Sequence, residues 1–327
     1  MGFAKKLFNT GLLIGGTLGA LAVYNKITEA LAGELNTVLS GEERRYPWKY
    51  GDMFYEVKGA RDAKPLLLVH GFGPGASSYE WRKNIDVLAE HYRVYAVDLL
   101  GFGLSDRQDI DYDAELYTDL LNDFLREVVE QPAIVVAHGL SCGYIIACAF
   151  RRPQLFERVV LVSPDPELLQ EHFPTPASAA LKLLLRTPIV GEFIYNMLTS
   201  RQAIRNYYDK EGYHNLGLLT DELVEYISTN AHQPESRYAA AAHVSNHLTM
   251  DVREPFARLQ VPTIAIWGRE GVLTPTEVAA EFKRVNPLVD VRIFDKARYH
   301  VQEEQAIQFN NLLREFANVN TNSSARR

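Results

Sequence analysis

Residues 133–143 read AIVVAHGLSCG, and this stretch decides the fold. A short apolar run passes into small residues and then into a helix-forming segment. This order predicts a buried strand, a sharp turn that tolerates only small neighbours, and a helix whose N-terminus faces the turn. Residues 139–143 also match the pattern G-x-S-x-G, in which the serine is a nucleophile. The function therefore depends on whether Ser141 stands at the tip of the turn.

An alternation of strands and helices surrounds this turn. Short apolar strands are predicted at 66–69, 94–98, 134–137 and 159–163, with helices at 79–90, 114–130 and 142–152. Apolar runs this short, separated by helices, indicate a parallel sheet that is covered on both faces. The alternation stops at Pro164 and resumes at 263–267, and the block between them has a helical pattern.

We therefore predict an α/β protein with a mostly parallel, doubly wound sheet. The core comprises residues 41–164 and 259–317, and residues 165–258 form a helical insertion. Residues 1–40 are predicted to form a hydrophobic helix and a linker, and residues 318–327 a flexible tail.

Composition and charge exclude several classes of partner. The chain has 327 residues and a net charge of −7, which excludes a nucleic-acid partner because phosphate binding needs a basic face. The only cysteines, Cys142 and Cys148, lie six residues apart on one predicted helix and cannot readily bridge. No glycine-rich phosphate loop follows the first strand, so no cofactor is predicted. His243 and His247 have a metal-compatible i,i+4 spacing, but no carboxylate follows at a matching distance; we expect a polar helix face and no metal.

The N-terminal segment 7–24 carries no charge and follows Lys5 and Lys6. Its 18 residues are just long enough to span a bilayer, which predicts a membrane anchor and a membrane-associated protein. Gly11, Gly15 and Gly19 recur every fourth residue, a spacing that favours close contact with a partner helix in the membrane. A cleaved signal peptide and a buried helix are the alternatives, and the side of the membrane stays open.

Five motifs follow one another in a distinctive order: HGFGP at 70–74, DLLGFGLSD at 98–106, the turn at 133–143, VPTIAIWG at 261–268 and FDKARYH at 294–300. With them the sequence resembles the α/β-hydrolase fold family, from about Trp48 to Phe316. The resemblance implies that the helical insertion is a cap over the site. It also implies a Ser-His-Asp triad, in which the acid orients the histidine that deprotonates the serine. The oxyanion loop and pocket implied by the resemblance comprise His70, Gly71, Phe72, Gly73 and Cys142.

The nucleophile position has two possible registers. In relatives with a cap, a proline follows the nucleophile by about fourteen positions, and Pro153 lies fourteen positions after Gly139. With Gly139 at the tip, the apolar run ends directly at the turn, and Ser141 begins the helix as a small or capping residue. With Ser141 at the tip, His138 occupies the last buried position of the strand. We favour the Gly139 register.

The positions of the acid and the histidine also depart from the family. Relatives read W-G-x-x-D-x-x-x-P, and here Gly271 stands at the aspartate position with Glu270 beside it. A second family arrangement places the acid after the preceding strand, where Asp165 stands; a turn or cap role is the alternative for this residue. Tyr299 stands at the histidine position, and His300 follows it by one residue.

Two functions remain open. The first, which we favour, is a membrane-anchored protein with a degraded triad that binds a small apolar ligand or acts as a scaffold in a membrane assembly. Losing a triad serine or histidine typically costs about 10⁶-fold in turnover. The second is a serine esterase or lipase-like hydrolase of small apolar esters, with Ser141, His300 and either Asp165 or Glu270 as catalytic residues.

Overall fold

The computed structural model describes residues 2–73, 75–171 and 174–318, with side chains from Gly16 onward. Eight strands form one sheet in the order β1-β2-β4-β3-β5-β6-β7-β8. β1 pairs antiparallel with β2 and β2 with β4, whereas the other neighbours are parallel. The predicted α/β class with a mostly parallel sheet is confirmed. The strands are β1 Glu42–Trp48, β2 Gly51–Lys58, β3 Pro65–Val69, β4 Arg93–Val97, β5 Ala133–His138, β6 Phe156–Val162, β7 Thr263–Gly268 and β8 Asp290–Phe294.

Helices connect the strands and cover the sheet. They are α1 Gly2–Ala32, α2 Ile85–Ala89, α3 Ala114–Phe124, α4 Ser141–Arg151, α5 Pro176–Arg186, α6 Val190–Leu198, α7 Arg201–Tyr207, α8 Asp221–Ala231, α9 Arg237–Val244, α10 Arg253–Ala257, α11 Thr276–Val285, α12 Val301–Glu304 and α13 Ala306–Asn318. Short 3-10 helices are Ser78–Trp81, Pro153–Leu155, Pro166–Leu169 and Leu216–Leu218, and π-helical turns are Leu125–Val129 and Tyr208–Gly212.

The core lies on both faces of the sheet because side chains alternate along each strand. In β5, Val135 and Ala137 belong to one hydrophobic cluster, and Ile134 and Val136 belong to the cluster on the opposite face. Every residue of β5 is buried. A strand with both faces covered must be apolar throughout, which explains why the run before the turn is continuous rather than alternating.

Between β6 and β7 the described residues form helices, from the 3-10 turn at Pro166–Leu169 to α10. Residues of this segment make a hydrophobic cluster of their own, which includes Ile204, Tyr213, Leu223 and Ile227. We call α5 to α10 the cap helices. The predicted flexible tail lies, apart from Asn318, outside the described residues.

The prediction of an N-terminal membrane anchor, and with it a membrane-associated location, is wrong. Within the described part of the chain, no helix combines the length and the apolar character that crossing a bilayer requires. The uncharged stretch has only 18 residues, and its four glycines contribute no side chain to apolar burial. Of the glycines predicted to contact a partner helix, Gly11 and Gly15 precede the first described side chain, and a Cβ at Gly19 would meet nothing within 4 Å.

The C-terminal part of α1 packs against α6 of the cap. Asn25 is buried, its Nδ2 donates to the carbonyl of Ile189 at 2.9 Å, and its Oδ1 accepts from Asn196 Nδ2 at 3.2 Å. The ring of Tyr24 meets Phe193 edge-on at 5.2 Å. A buried amide with both ends paired holds one helix to the other at a fixed register.

We predict that Asn25→Ala loosens this contact, because the buried amide of Asn196 loses its acceptor. An unsatisfied buried polar group of this kind costs about 1–2 kcal/mol. Urea unfolding should report the loss, and hydrogen exchange should be faster in α1 and α6. Lys26→Ala is the matched control, since Lys26 is exposed and its ion pair is with Glu29 on its own helix. Equal stability of the two variants would contradict the prediction.

Candidate active site

Gly139 lies at the tip of the turn between β5 and α4. Its φ is +56°, in the left-handed region that favours glycine, and its N–H donates to the Val162 carbonyl at 2.9 Å. A Cβ at this position would lie 2.0 Å from the hydroxyl oxygen of Tyr299. The place that a nucleophile's side chain would take is therefore filled by the Tyr299 hydroxyl.

Ser141 is the first residue of α4 and is fully buried. Its hydroxyl donates to the His70 carbonyl at 2.6 Å, which ties the first turn of the helix to the oxyanion loop (residues 70–74, of which Pro74 is not described). The neighbouring Cys142 thiol is directed to the Ala137 carbonyl at 3.2 Å, and burial raises its pKa well above the usual value. The Ser141 hydroxyl and the Cys142 thiol therefore both donate hydrogen bonds to nearby backbone carbonyls.

His70 holds the oxyanion loop against the sheet. Its Nε2 accepts the N–H of Leu99 at 2.9 Å, and its Nδ1 lies 2.6 Å from the Gly71 carbonyl. With the acceptor role fixed at Nε2, Nδ1 carries the proton and donates. His70 is fully buried and has a positioning role in this arrangement.

Asp165 follows β6 and accepts a hydrogen bond from Tyr299 at 3.1 Å. Part of the residue is accessible, but its carboxyl lies against the buried Tyr299. Burial raises the pKa of this carboxyl to about 7; Glu167 adds to the rise, and the Tyr299 hydroxyl and His138 oppose it. Burial also raises the pKa of the Tyr299 phenol well above 10. Gly139, Tyr299 and Asp165 thus lie together where a serine, a histidine and an acid would form a triad.

The other acid candidate has a backbone partner. Glu270 Oε2 accepts the N–H of Ala297 at 3.0 Å, which fixes the loop after β8. At Gly271 a Cβ would lie 2.7 Å from the Thr274 carbonyl, so the loop passes too close to itself for a side chain there. The structure does not bring Glu270 together with Tyr299 and Asp165.

His138 and Glu80 form a buried pair on the other side of the turn. His138 Nδ1 lies 3.2 Å from Glu80 Oε2, and its Nε2 lies 3.2 Å from the Tyr299 carbonyl. With two oxygen acceptors beside its nitrogens, the arrangement favours the doubly protonated, positively charged ring. Burial alone lowers the pKa of His138, but the Glu80 carboxylate outweighs it and the pKa is raised. The Gly71 N–H donates to both Glu80 oxygens, at 3.2 and 3.3 Å.

His300 lies beside this pair and differs from it in charge. Its ring is 5.1 Å from that of His138 and stacks on Tyr208 at 5.2 Å. Neither ring nitrogen has a hydrogen-bond partner; Nδ1 is 3.4 Å from Glu303 Oε1 but is not aligned for a hydrogen bond. Burial lowers the pKa of His300 well below its usual value, and His138 and Arg82 lower it further. His300 is therefore a neutral imidazole with unpaired nitrogens, only 6% exposed.

A second ion pair supports the same region. Arg82 contacts Glu303 at 2.5 Å, and the Tyr213 hydroxyl donates to the same carboxylate oxygen at 2.6 Å. Burial raises the pKa of Glu303, and Arg82 opposes this rise. This network joins the segment after the oxyanion loop, the cap and α12.

A small open pocket lies between the oxyanion loop and the cap; all of its empty space, with the solvent at its mouth included, comes to about 460 Å³. Its apolar wall includes Phe72, Tyr207, Leu223 and Ile227. Its polar side chains are Ser77, Tyr79, Glu80, Arg82, His138, Tyr208, His300 and Glu303. Ser141, Asp165 and Glu270 are absent from the lining. The candidate site therefore combines the predicted His300, Gly71, Phe72 and Gly73 with polar residues that the sequence did not assign to a site, among them Glu80, Arg82 and His138. Glu80 and Arg82 follow the oxyanion loop closely, and His138 ends an otherwise apolar strand, which is the one signal that could have pointed to it.

The chain is similar in sequence to known hydrolases. The model of the alpha/beta hydrolase family matches residues 66–311. The chain is 25% identical over 260 residues to a 2-hydroxymuconate semialdehyde hydrolase of Pseudomonas sp. strain CF600, which covers 77% of this chain and 86% of that protein. It is 23% identical over 270 residues to a pimeloyl-(acyl-carrier protein) methyl ester esterase of Vibrio cholerae, covering 81% and 98%.

Solved structures agree on the fold. A meta-cleavage product hydrolase of Pseudomonas fluorescens IP01 superposes with a TM-score of 0.68 at 24% identity, over 84% of this chain and 97% of that one. The carboxylesterase CesB of Bacillus subtilis gives 0.67 at 19% identity, over 92% and 99%. At this level of identity the likeness establishes the architecture, and the predicted resemblance is confirmed.

We predict that the pair of substitutions Gly139→Ser and Tyr299→His makes the chain reactive to a fluorophosphonate probe at position 139. The second substitution removes the hydroxyl that blocks the turn and places an imidazole near Asp165. Gly139→Ser alone should stay unlabelled, because the new side chain meets Tyr299 and is strained at positive φ by about 1–2 kcal/mol. Peptide mass spectrometry identifies the labelled residue.

Ser141→Ala in the doubly substituted chain is the control, and labelling should persist. Labelling of Ser141 in the unaltered protein would contradict the assignment of the turn to Gly139.

Proposed function

The chain belongs to the alpha/beta hydrolase family, and we propose that it hydrolyses small, largely apolar carbonyl compounds, esters first among them, with water as the nucleophile. The reaction takes place in the cavity between the oxyanion loop and the cap. The observation that carries the proposal is the cluster of Glu80, His138 and His300, whose side chains are almost wholly shielded from solvent and line the same cavity as Phe72, Leu223 and Ile227. An apolar pocket with a few convergent polar groups is the usual form of a small-molecule site.

The nucleophile is assigned to water because the structure offers no free serine at the turn. The Ser141 hydroxyl donates a hydrogen bond to the His70 carbonyl, and position 139 has no side chain. His300, in contrast, is neutral and has unpaired nitrogens beside the cavity. A neutral imidazole at this place supports activation of a water molecule.

The charge that develops on the substrate oxygen has one donor at the cavity wall. The Phe72 N–H donates to no protein acceptor within the described chain, and Phe72 lines the cavity. Leu140, the residue before α4, is buried and is absent from the lining, because Tyr299 closes the turn before it. In enzymes that use such a donor it stabilises an oxyanion by about 3 kcal/mol.

The relatives support the same class of reaction. One is named as the hydrolase of a semialdehyde and another as a methyl ester esterase. Both names describe hydrolysis, and the second describes hydrolysis of an ester. Transfer of that class to this chain is our proposal, and the residues that perform it differ from a serine triad.

Binding without turnover is a second candidate, and one observation favours it. The Tyr299 hydroxyl fills the turn at Gly139, so the part of the fold where a serine would attack is closed. The cavity itself stays open to a ligand. Under this second candidate a small apolar ester would bind and leave unchanged.

Hydrolysis of p-nitrophenyl acetate and butyrate tests the proposal. We expect turnover by the unaltered protein, a fall of about 100-fold in His300→Ala because activation of the water is lost, and a change of less than about twofold in Ser141→Ala. Substitution of Ser141 removes only a structural hydrogen bond.

The outcomes separate the candidates. Loss of activity in Ser141→Ala together with fluorophosphonate labelling of Ser141 would establish a serine esterase instead. Saturable binding of the ester, measured by calorimetry, without any product would establish binding without turnover.

A further inference from the structure

Three side chains from distant parts of the chain converge at the floor of the cavity. Glu80, His138 and His300 each offer one ligand atom, and these three atoms lie within 4.8 Å of one another. One carboxylate and two imidazoles are a donor set that binds divalent transition metals. Nothing in the sequence predicted this, because the three residues are far apart along the chain, and our expectation from sequence was that no metal is bound.

We propose that Glu80, His138 and His300 bind one divalent transition metal ion such as Zn²⁺. The inference rests on the proposed function in one respect: a metal-bound water would be the nucleophile of that reaction. The binding site itself stands on its geometry.

The strongest support comes from His300. Its two ring nitrogens are unpaired although the residue is 94% buried, and such groups in a native interior call for a partner. The ring is held by aromatic contacts with Tyr208, Tyr213 and Tyr299 rather than by hydrogen bonds. Donor atoms around a tetrahedral ion with bonds of about 2.1 Å lie about 3.4 Å apart, so binding requires the three ligand atoms, which lie within 4.8 Å of one another, to move closer together.

The other two side chains are already oriented by neighbours. The Tyr299 carbonyl lies 3.2 Å from His138 Nε2 and holds the proton on that nitrogen, which leaves Nδ1 as the ligand atom. Glu80 is fixed by the Gly71 N–H. A backbone carbonyl behind a histidine ligand, and a hydrogen bond behind a carboxylate, are the usual supports of metal ligands.

Gly71 also keeps space for the ion. A Cβ at this position would lie 2.7 Å from His138 Nδ1, so any other residue would crowd the ligand atom. The cavity supplies the remaining coordination positions, which water or substrate would occupy, as in metal sites that perform catalysis.

The local charges permit a cation. Glu80 and His138 form a neutral pair, and the ion takes the place of the proton that His138 Nδ1 shares with Glu80, which is released to solvent. The nearby positive charge of Arg82 is offset by its contact with Glu303. The net gain is one positive charge beside an oxyanion that forms during hydrolysis.

Cobalt is the probe because Co²⁺ bound to nitrogen and oxygen ligands absorbs visible light. The full chain, freed of metal with a chelator, is titrated with Co²⁺ and, in a calorimeter, with Zn²⁺. We expect one ion per chain, and a Kd at least about 100-fold higher in Glu80→Gln and in His300→Ala, since each variant removes a ligand. His247→Ala is the matched control, because His247 is a partly exposed histidine outside the cluster whose Nδ1 lies near Ser245.

Thermal unfolding of each variant without metal shows whether it is folded, and His300→Gln replaces His300→Ala if the smaller side chain unfolds the chain. Absence of stoichiometric binding, or unchanged affinity in both ligand variants, overturns the metal site. Metal binding that depends on these ligands supports the site even if no ester is hydrolysed, which would overturn only the proposed function. Ester hydrolysis that depends on His300 in the metal-free protein would overturn the metal's role in the reaction and leave His300 as the base, whereas the titrations alone decide the binding site.

Discussion

The turn at Gly139 leaves no room for a side chain, and the chemistry of the rest of the site depends on this constraint. The Tyr299 hydroxyl occupies the space that a Cβ at Gly139 would take and is held there by Asp165. Since the backbone at Gly139 is in the left-handed region, another residue would be strained as well as crowded. The tip of the turn is therefore closed, and polar groups that face the cavity lie elsewhere.

Those groups lie on the other side of Tyr299. The backbone carbonyl of this residue accepts from His138, while its side chain points to Asp165, so one residue separates two buried polar arrangements. In the first, the Tyr299 hydroxyl and the Asp165 carboxyl, whose pKa is raised, occupy the positions where a catalytic triad would lie. In the second, the charged pair of Glu80 and His138 stands beside the neutral His300.

Family membership and mechanism are separate questions in this protein. The sheet order, the oxyanion loop and the cap place it in the alpha/beta hydrolase family, whose relatives by name include hydrolases and esterases. The proposals assign the chemistry to the cavity because His300, whose ring nitrogens have no hydrogen-bond partner, lines it. A fold can keep its architecture while the reacting groups move, since the ends of neighbouring parallel strands and the loops after them all meet at one edge of the sheet.

The sequence determined the architecture, and its patterns predicted the sheet because they are local. The continuous apolar run of β5 indicates that both faces of this strand are buried. The number of residues from Gly139 to Pro153 is set by the length of α4 and of the turn that follows it. The N-terminal anchor was predicted wrongly from an equally local pattern: the 18 uncharged residues before Asn25 resemble a membrane span, whereas length and apolar character together fall short of one. Only the tertiary structure decided the site. Glu80, His138 and His300 lie on three segments far apart in the chain, and a single sequence carries no signal that their side chains meet. Whether a buried histidine is charged, neutral or a ligand depends on the groups packed around it, and the folded chain alone brings these together.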